Sequence, residues 1–459
     1  MQKKRFILPA LIIVLGGIWA GSAWYTGTEI EKNYASTIEK INQNSIAKIE
    51  NVQLDRHIFS TDMQYQLTVG KASFPMHTVI YHGPFPLNLV SHFNFVPQAS
   101  SSQTTLQKTA ETEPLFAAFA EKTPFLLDLN LGYQQQIQAD LLINSGKVQN
   151  EETTANWQES RYTLDMDGKK AIKATFNIPH IDLNVVTKHN LPVKLLIEQF
   201  DLNADLQSTD WKYLPTGKIT SSLKLLQTTE ANGDKGLIIA YKDQVGETNL
   251  IKQDDFYSIQ STNKVGDFSL NGQSLLSQQD SKIEFNHLQG EAIIQWIDAL
   301  LNDDKAAASQ AATTLFDNQP QFVLNPLHLA NSDGRVDLVT IITPEKNAVT
   351  NLNKGDADNF FSQLTIKLTF DKAFQRTFTE TLIKQLNEST NPQQRINSYE
   401  IQQMIERELQ SQVKQGVLVE TDKSYLLYFE QKDGEFYLNQ QKVPKEALLF
   451  GLLKFLSAF

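Results

Sequence analysis

The hydrophobic pattern opens with one solid block. Phe6 to Thr28 carries no charge, and its centre, Ile7 to Ile18, is almost wholly apolar. Lys3, Lys4 and Arg5 precede it, and Trp19, Trp24 and Tyr25 mark its far end. A helix over this block spans roughly 34 Å at 1.5 Å per residue, enough for a bilayer core. Pro9 falls in its first turn, where a missing N–H costs little. The basic flank predicts a cytoplasmic N-terminus and an external body, with Trp19, Trp24 and Tyr25 at the outer membrane interface. Ala20-Gly21-Ser22-Ala23 offers small residues for signal-peptide cleavage, so a cleaved leader is the competing reading. The length of the run favours a retained anchor.

Beyond the block, Thr28-Glu29-Ile30-Glu31 has the form of a capping box, and Ile30, Tyr34, Ile38 and Ile41 recur at helical spacing. The period then changes to two. Val52 and Leu54, then Met63, Tyr65, Leu67 and Val69, alternate with polar residues, as strands buried on one face do. Val79 and Tyr81 lead into His82-Gly83-Pro84-Phe85-Pro86, a rigid turn. The motif reads as structural: Gly83 turns the chain, the prolines limit the backbone, Phe85 buries its ring, and His82 is dispensable to packing. Gln98 to Thr105, rich in Gln, Ser and Thr, reads as a mobile loop before a helix over Leu106 to Lys122.

The middle of the chain predicts hairpins. Asp167-Gly168, Asn232-Gly233, Asn271-Gly272, Asp333-Gly334 and Asp433-Gly434 stand between alternating runs, and Asx-Gly supplies the positive φ that tight hairpin turns need. Helices are expected at Ala292 to Leu301, over an Ala-rich stretch reaching Phe316, along Phe370, Phe374, Phe378, Leu382 and Leu386, and after Asn397 along Ile401, Ile405, Leu409 and Val413. The Phe stripe reads as core packing. Pro344 to Asn359 is polar and linker-like. Pro444 to Phe459 is apolar on nearly every side, which demands burial in the fold, in a subunit interface or on the membrane surface. The fold class is α+β: a single N-terminal transmembrane helix, then a large, mainly antiparallel β periplasmic body with several packed helices. The expected regions are 1–28 (cytoplasmic tip and anchor), 29–345 (β-rich body) and 346–459 (helical and hairpin region).

Composition narrows the chemistry. With no Cys among 459 residues, disulfides, thiolate metal sites and Cys nucleophiles are excluded. A net charge of −11 argues against nucleic acid as a partner. There is no phosphate loop, no dinucleotide fingerprint, no His-Glu-x-x-His and no Gly-x-Ser-x-Gly. His57, His77, His82, His92, His180, His189, His287 and His328 show no metal-ligand spacing. Asp165-x-Asp167-Gly168 has two acidic positions of a calcium loop, but lacks the closing Glu and is followed by Lys169-Lys170, so a hairpin turn explains it better. Asp254-Asp255 and Asp303-Asp304 are neighbours in sequence and do not form an acid/base dyad. No catalytic residue, metal site or cofactor is assigned.

Three segments carry a family resemblance: Gly21-Ser22-Ala23-Trp24-Tyr25-Thr26-Gly27 before an acidic helix, Leu54-Asp55-Arg56-His57-Ile58-Phe59-Ser60-Thr61, and the His82 to Pro86 turn. With the late hairpin Tyr428 to Asn439, they resemble the YdgA family of bacterial envelope proteins. His57 and Gln440 stand where that pattern has Gly. The resemblance implies an inner-membrane anchor, a periplasmic body, no assigned activity, and a homodimer. Three functions stay open: a non-catalytic β scaffold binding a lipid, envelope polymer or protein; a homo-oligomeric envelope organiser; and a hydrolase with dispersed residues.

Overall fold

The computed structural model describes residues 4–44, 47–169, 171–186, 192–232, 235–354, 360–388, 395–432 and 434–444, with side chains from Trp19 onward except at positions 44, 192, 230–232, 235 and 432. Contacts divide the chain into two compact units, Met1–Ile181 and Asp182–Phe459, a division that falls inside the region 29–345 read as one body.

In the first unit, helix α1 runs unbroken from Lys4 to Asn44. The Thr28 capping box does not start a helix. The Thr28 hydroxyl donates back to the Trp24 carbonyl at 2.9 Å, the mid-helix alternative to an N-cap. Among the described residues no helix is long and apolar enough to cross a membrane, and the side chains of the apolar run up to Ile18 lie outside those residues.

An antiparallel meander follows: β1 (Ala47–Arg56), β2 (Ser60–Val69), β3 (Ala72–His82), the short α2 (Leu87–Ser91), β4 (Ser100–Leu106), α3 (Glu113–Ala118), β5 (Phe125–Leu131) and β6 (Ile137–Ile143). A small hairpin, β7 (Gly146–Gln149) and β8 (Thr153–Trp157), interrupts it. Then β9 (Ser160–Met166) pairs with β6, and β10 (Ala171–Val186) pairs with β9. The tract expected as a loop is therefore a central strand, β4. Polar side chains of β4 find partners on β3 and on α2: Thr104 bonds Thr78 at 2.8 Å, and Asn88 donates to Ser101 at 2.7 Å. Polarity alone does not unmake a strand when its neighbours supply partners. The helix expected over Leu106 to Lys122 shrinks to α3, whose Phe116 packs with Met76 and Leu106.

The second unit begins with long antiparallel strands: β11 (Pro192–Gln207), β12 (Thr216–Asn232) and β13 (Lys235–Gln253), of 16, 17 and 19 residues. The ladder continues through β14 (Phe256–Val265), past the small hairpin β15 (Asp267–Leu270) and β16 (Gln273–Leu276), to β17 (Gln278–Gln289). Helices α4 (Gly290–Leu301) and α5 (Lys305–Asp317) follow, and Asp304 caps α5 by accepting from the Ala307 N–H. The ladder resumes with β18 (Gln321–Ala330) and β19 (Arg335–Pro344). The stretch expected as a linker holds a short helix, α6 (Ala348–Asn353), with residues 355–359 outside those described.

β20 (Phe361–Asp371) pairs with β19, so the ladder crosses position 345 without a break. Next come α7 (Lys372–Glu388) and α8 (Ser398–Lys414), the latter capped by Asn397 accepting from the Tyr399 and Glu400 N–H groups. β21 (Val419–Glu420), β22 (Ser424–Lys432), β23 (Glu435–Leu438) and β24 (Gln441–Val443) complete the sheet. The Asx-Gly pairs sit between paired strands, although Gly233 and Asp433 lie outside the described residues. So does the apolar C-terminal segment after Pro444.

Leu364, Leu418, Tyr425, Leu427 and Phe429 form a buried core against which Leu409 and Val413 of α8 pack. Phe429 is only 2% exposed. We expect Phe429→Ala to cost about 3–5 kcal/mol in urea unfolding, the usual loss for an excavated core ring. A change below about 1 kcal/mol would mean this core is not closed in solution.

Candidate functional site

Two sites stand out, one in each unit. The first is the end of β3. His82 is 1% exposed, as is Thr61 on β2, and the His82 Nε2 lies 2.8 Å from the Thr61 hydroxyl. The His82 Nδ1 lies 3.1 Å from the Ile58 carbonyl. A carbonyl can only accept, so the proton sits on Nδ1, and neutral Nε2 accepts from Thr61. The ring is roofed by α1. A Cβ on Gly27 would stand 2.4 Å from the His82 Cε1, so only glycine permits this approach. One helical turn earlier is Ala23, fully buried, and one turn before that is Trp19. The Trp19 indole N–H donates to the Phe85 carbonyl at 3.0 Å, and its ring lies 5.2 Å from that of Phe59. Trp19-x-x-x-Ala23-x-x-x-Gly27 is thus the docking face of α1.

The His82 to Pro86 turn is built for this contact. Gly83 is pressed so close to the carbonyls of Gln98 and Ala99 that a Cβ there would stand 2.1 and 2.6 Å from them. The Gly83–Pro84 peptide is cis, and Pro86 is buried. Two expectations change. His82 is not dispensable to packing: it is among the largest fully buried side chains. Phe85 is only half-buried and contributes its carbonyl to Trp19. Of the residues expected at a membrane interface, Trp19 is engaged with the body, whereas Trp24 and Tyr25 are exposed, Trp24 lying under the Arg56 guanidinium at 5.6 Å. Arg56 also donates to Thr28 at 2.7 Å and pairs with Glu31 at 3.1 Å.

Thr61 and His82 have the spacing of a nucleophile and its base, but both are closed off from solvent beneath Gly27. They hold structure in this arrangement. Burial pushes the His82 imidazole below its ordinary value. The positive Arg56 adds to the lowering, and the Ile58 and Ala23 carbonyls oppose it. Of the other histidines, His57 and His77 both approach Asp62, at 3.4 and 3.0 Å, and His328 pairs with Asp337 at 2.7 Å. Among the described residues no cluster of His, Asp or Glu could hold a metal. Asp167 accepts from the Lys169 and Ala171 N–H groups, closing the β9–β10 hairpin.

The second site is a cavity of about 950 Å³ between α7, α8 and the sheet. Leu368 and Phe370 form its floor on β20. Phe374 and Phe378 on α7 form one wall, their rings stacked at 5.8 Å, and Met404, Ile405 and Leu409 on α8 form the other. The Phe stripe therefore lines the cavity at both Phe374 and Phe378, with Phe374 itself only 7% exposed. Polar groups are few: Gln375, Thr379, Arg407, Glu408 and Gln412, the last donating to Glu408 at 2.6 Å. No Ser, His or Asp is among the described lining residues. Such a cleft suits an apolar chain with a polar end. The helical periods that form its walls were legible in the sequence. The space between them was not.

The fold and sites define a helix-led antiparallel β protein with an apolar cleft. Residues 1–446 match the family described as bacterial protein of unknown function (DUF945), and the chain belongs to that family. An uncharacterised Haemophilus influenzae protein is 29% identical over 66% of this chain and 88% of its own length. Protein YdgA of Escherichia coli is 24% identical over 71% of this chain and 66% of its own, in keeping with the resemblance drawn from the motifs. The uncharacterised protein YihF of the same organism is 21% identical over 81% of this chain and 84% of its own. No solved structure matches.

Because folding lowers the proton affinity of His82, protonation favours the unfolded chain. The contribution is intact above the ordinary histidine value of about 6.5 and declines as pH falls from there toward the depressed folded value. Urea unfolding of the full chain across pH 8 to 5 should show this decline, and His82→Ala should remove it. At pH 8, His82→Ala should itself cost about 1–3 kcal/mol, since it leaves buried polar groups unpartnered. Gly27→Val should cost about 1–3 kcal/mol through overpacking. Variants as stable as the parent at every pH would show that α1 does not seat on His82.

Proposed function

We propose that this chain is a non-catalytic, single-pass inner-membrane protein whose periplasmic body takes the acyl chain of a lipid into the cleft between α7 and α8. The observation that carries the ligand class is the lining. A cleft of about 950 Å³ walled by Phe370, Phe378, Met404, Ile405 and Leu409, with Arg407 and Glu408 among its few charged groups, favours an apolar tail bearing a polar head. The anchor rests on the uncharged run Phe6 to Thr28 and the one-sided basic flank at Lys3 to Arg5. The absence of Ser, His and Asp from the described lining favours binding over hydrolysis. The homodimer suggested by the family resemblance is compatible with this reading.

Native mass spectrometry of the full chain, extracted from membranes in mild detergent, tests it. Lipid should be retained by the parent and lost at least tenfold in Thr379→Trp, which fills the cleft without removing a core side chain. A lipid-free parent, monomeric or dimeric, would overturn the ligand reading and leave the organiser as the better one. A reporter active only in the periplasm, fused after Phe459, should be active. Activity only of a cytoplasmic reporter would reverse the topology.

A further inference from the structure

We propose that the end of the first unit at which α1 meets the sheet is a second membrane contact, in which the segment after the His82 turn lies in the lipid interface. The antiparallel meander places alternate connections at the same end. The β1–β2 turn, the β3–β4 connection and the β5–β6 turn therefore lie together, and Trp19 marks that end by touching Phe59 and Phe85. Its connections differ in charge from those opposite. Residues 72–107 contain no Asp, Glu, Lys or Arg, and neither does the β5–β6 turn, residues 132–136. The opposite end carries Lys71, Lys108, Glu111, Glu113, Glu121 and Lys122. Charge returns beside the apolar segment, at Asp55, Arg56 and Asp62 on one flank, where Glu31 of α1 pairs with Arg56, and at Asp167 and Lys169 on the other.

The uncharged end holds its apolar side chains outward. Phe93 is 85% exposed, Phe95 60%, Val96 58% and Ile58 56%. Phe93 follows α2 at a left-handed position, φ 60°, where helices ordinarily place Gly or Asn. A bulky ring there costs backbone energy, and among the described residues Phe93 gains no burial in return. The bilayer is the occupant because of where α1 leads. From Thr28, bonded to Arg56, to Asn42, bonded to Ile49, α1 runs antiparallel to β1. Its backbone before Trp19 therefore extends past this end, carrying the apolar run with it. The exposed rings lie beside the point where that run leaves the body.

The proposal rests on the membrane anchor of the proposed function, and the test separates the two. The chain lacks Cys, so single-cysteine variants label cleanly. Phe93→Cys, Phe95→Cys, Leu11→Cys in the apolar run and Glu111→Cys at the opposite end are labelled with an environment-sensitive fluorophore. Each full-length protein is reconstituted in phosphatidylethanolamine/phosphatidylglycerol vesicles with or without nitroxide-bearing lipid. Quenching of at least twofold at 93, 95 and 11, with none at 111, is expected. Quenching at 11 alone overturns this proposal and leaves the anchor standing. Quenching at 93 and 95 but not at 11 supports the contact and removes the anchor. Labels at 93 and 95 shielded from aqueous iodide yet untouched by lipid quencher identify a second copy of the chain as the occupant, and overturn it.

Discussion

A strand inside a sheet has hydrogen-bonding groups on both edges, and each must find a partner. In this protein that requirement is met almost entirely by neighbours in sequence, so the chain folds back on itself in one antiparallel meander after another. Much else follows. Ser100–Leu106 becomes a strand in spite of its polarity, because β3 and β5 flank it and complete its backbone ladder, and Thr78 on β3 bonds Thr104. Alternate turns gather at one end, which lets a short uncharged segment become a coherent surface. Small hairpins such as β7–β8 are inserted without disturbing the main register, since β9 returns to pair with β6.

The helix is added to this framework by a contact of a different kind. Its docking face is a row of decreasing side chains, Trp19, Ala23 and Gly27, which lets the backbone descend onto a buried histidine. The histidine is in turn fixed by a carbonyl that can only accept and a hydroxyl that donates. Removing any one of these leaves a polar group in an apolar setting, which explains why the site is tight. The family to which the chain belongs carries no function in its description. The physical arrangement is therefore the better guide: a rigid joint where a helix meets the sheet, and an open apolar cleft in the other unit.

That cleft arises because two helices cover the sheet without filling the space between them. α7 and α8 are each amphipathic, and their apolar faces turn toward β19 and β20. Phe374 is buried and still lines the cavity, as Phe378 and the exposed Met404 do. One stripe of residues therefore serves both packing and cavity, and spacing alone does not separate the two roles.

Local pattern determined the antiparallel β class, the hairpin positions marked by Asx-Gly pairs, the cap at Asn397 and the periods of α4, α5, α8 and, from Phe374 onward, α7, because each depends on residues close in the chain; Phe370, expected on that helix, lies at the end of β20 instead. The tertiary structure decided what distant residues do to one another. It made a strand of the tract after Gln98, carried α1 straight through Thr28, turned Trp19 into the protein and buried His82 beneath Gly27. Gly27 and His82 are 55 positions apart in the chain, and no local propensity encodes their contact. Periodicity shows which face of an element is apolar; only the packed fold shows what that face meets, and whether the space between two faces is filled.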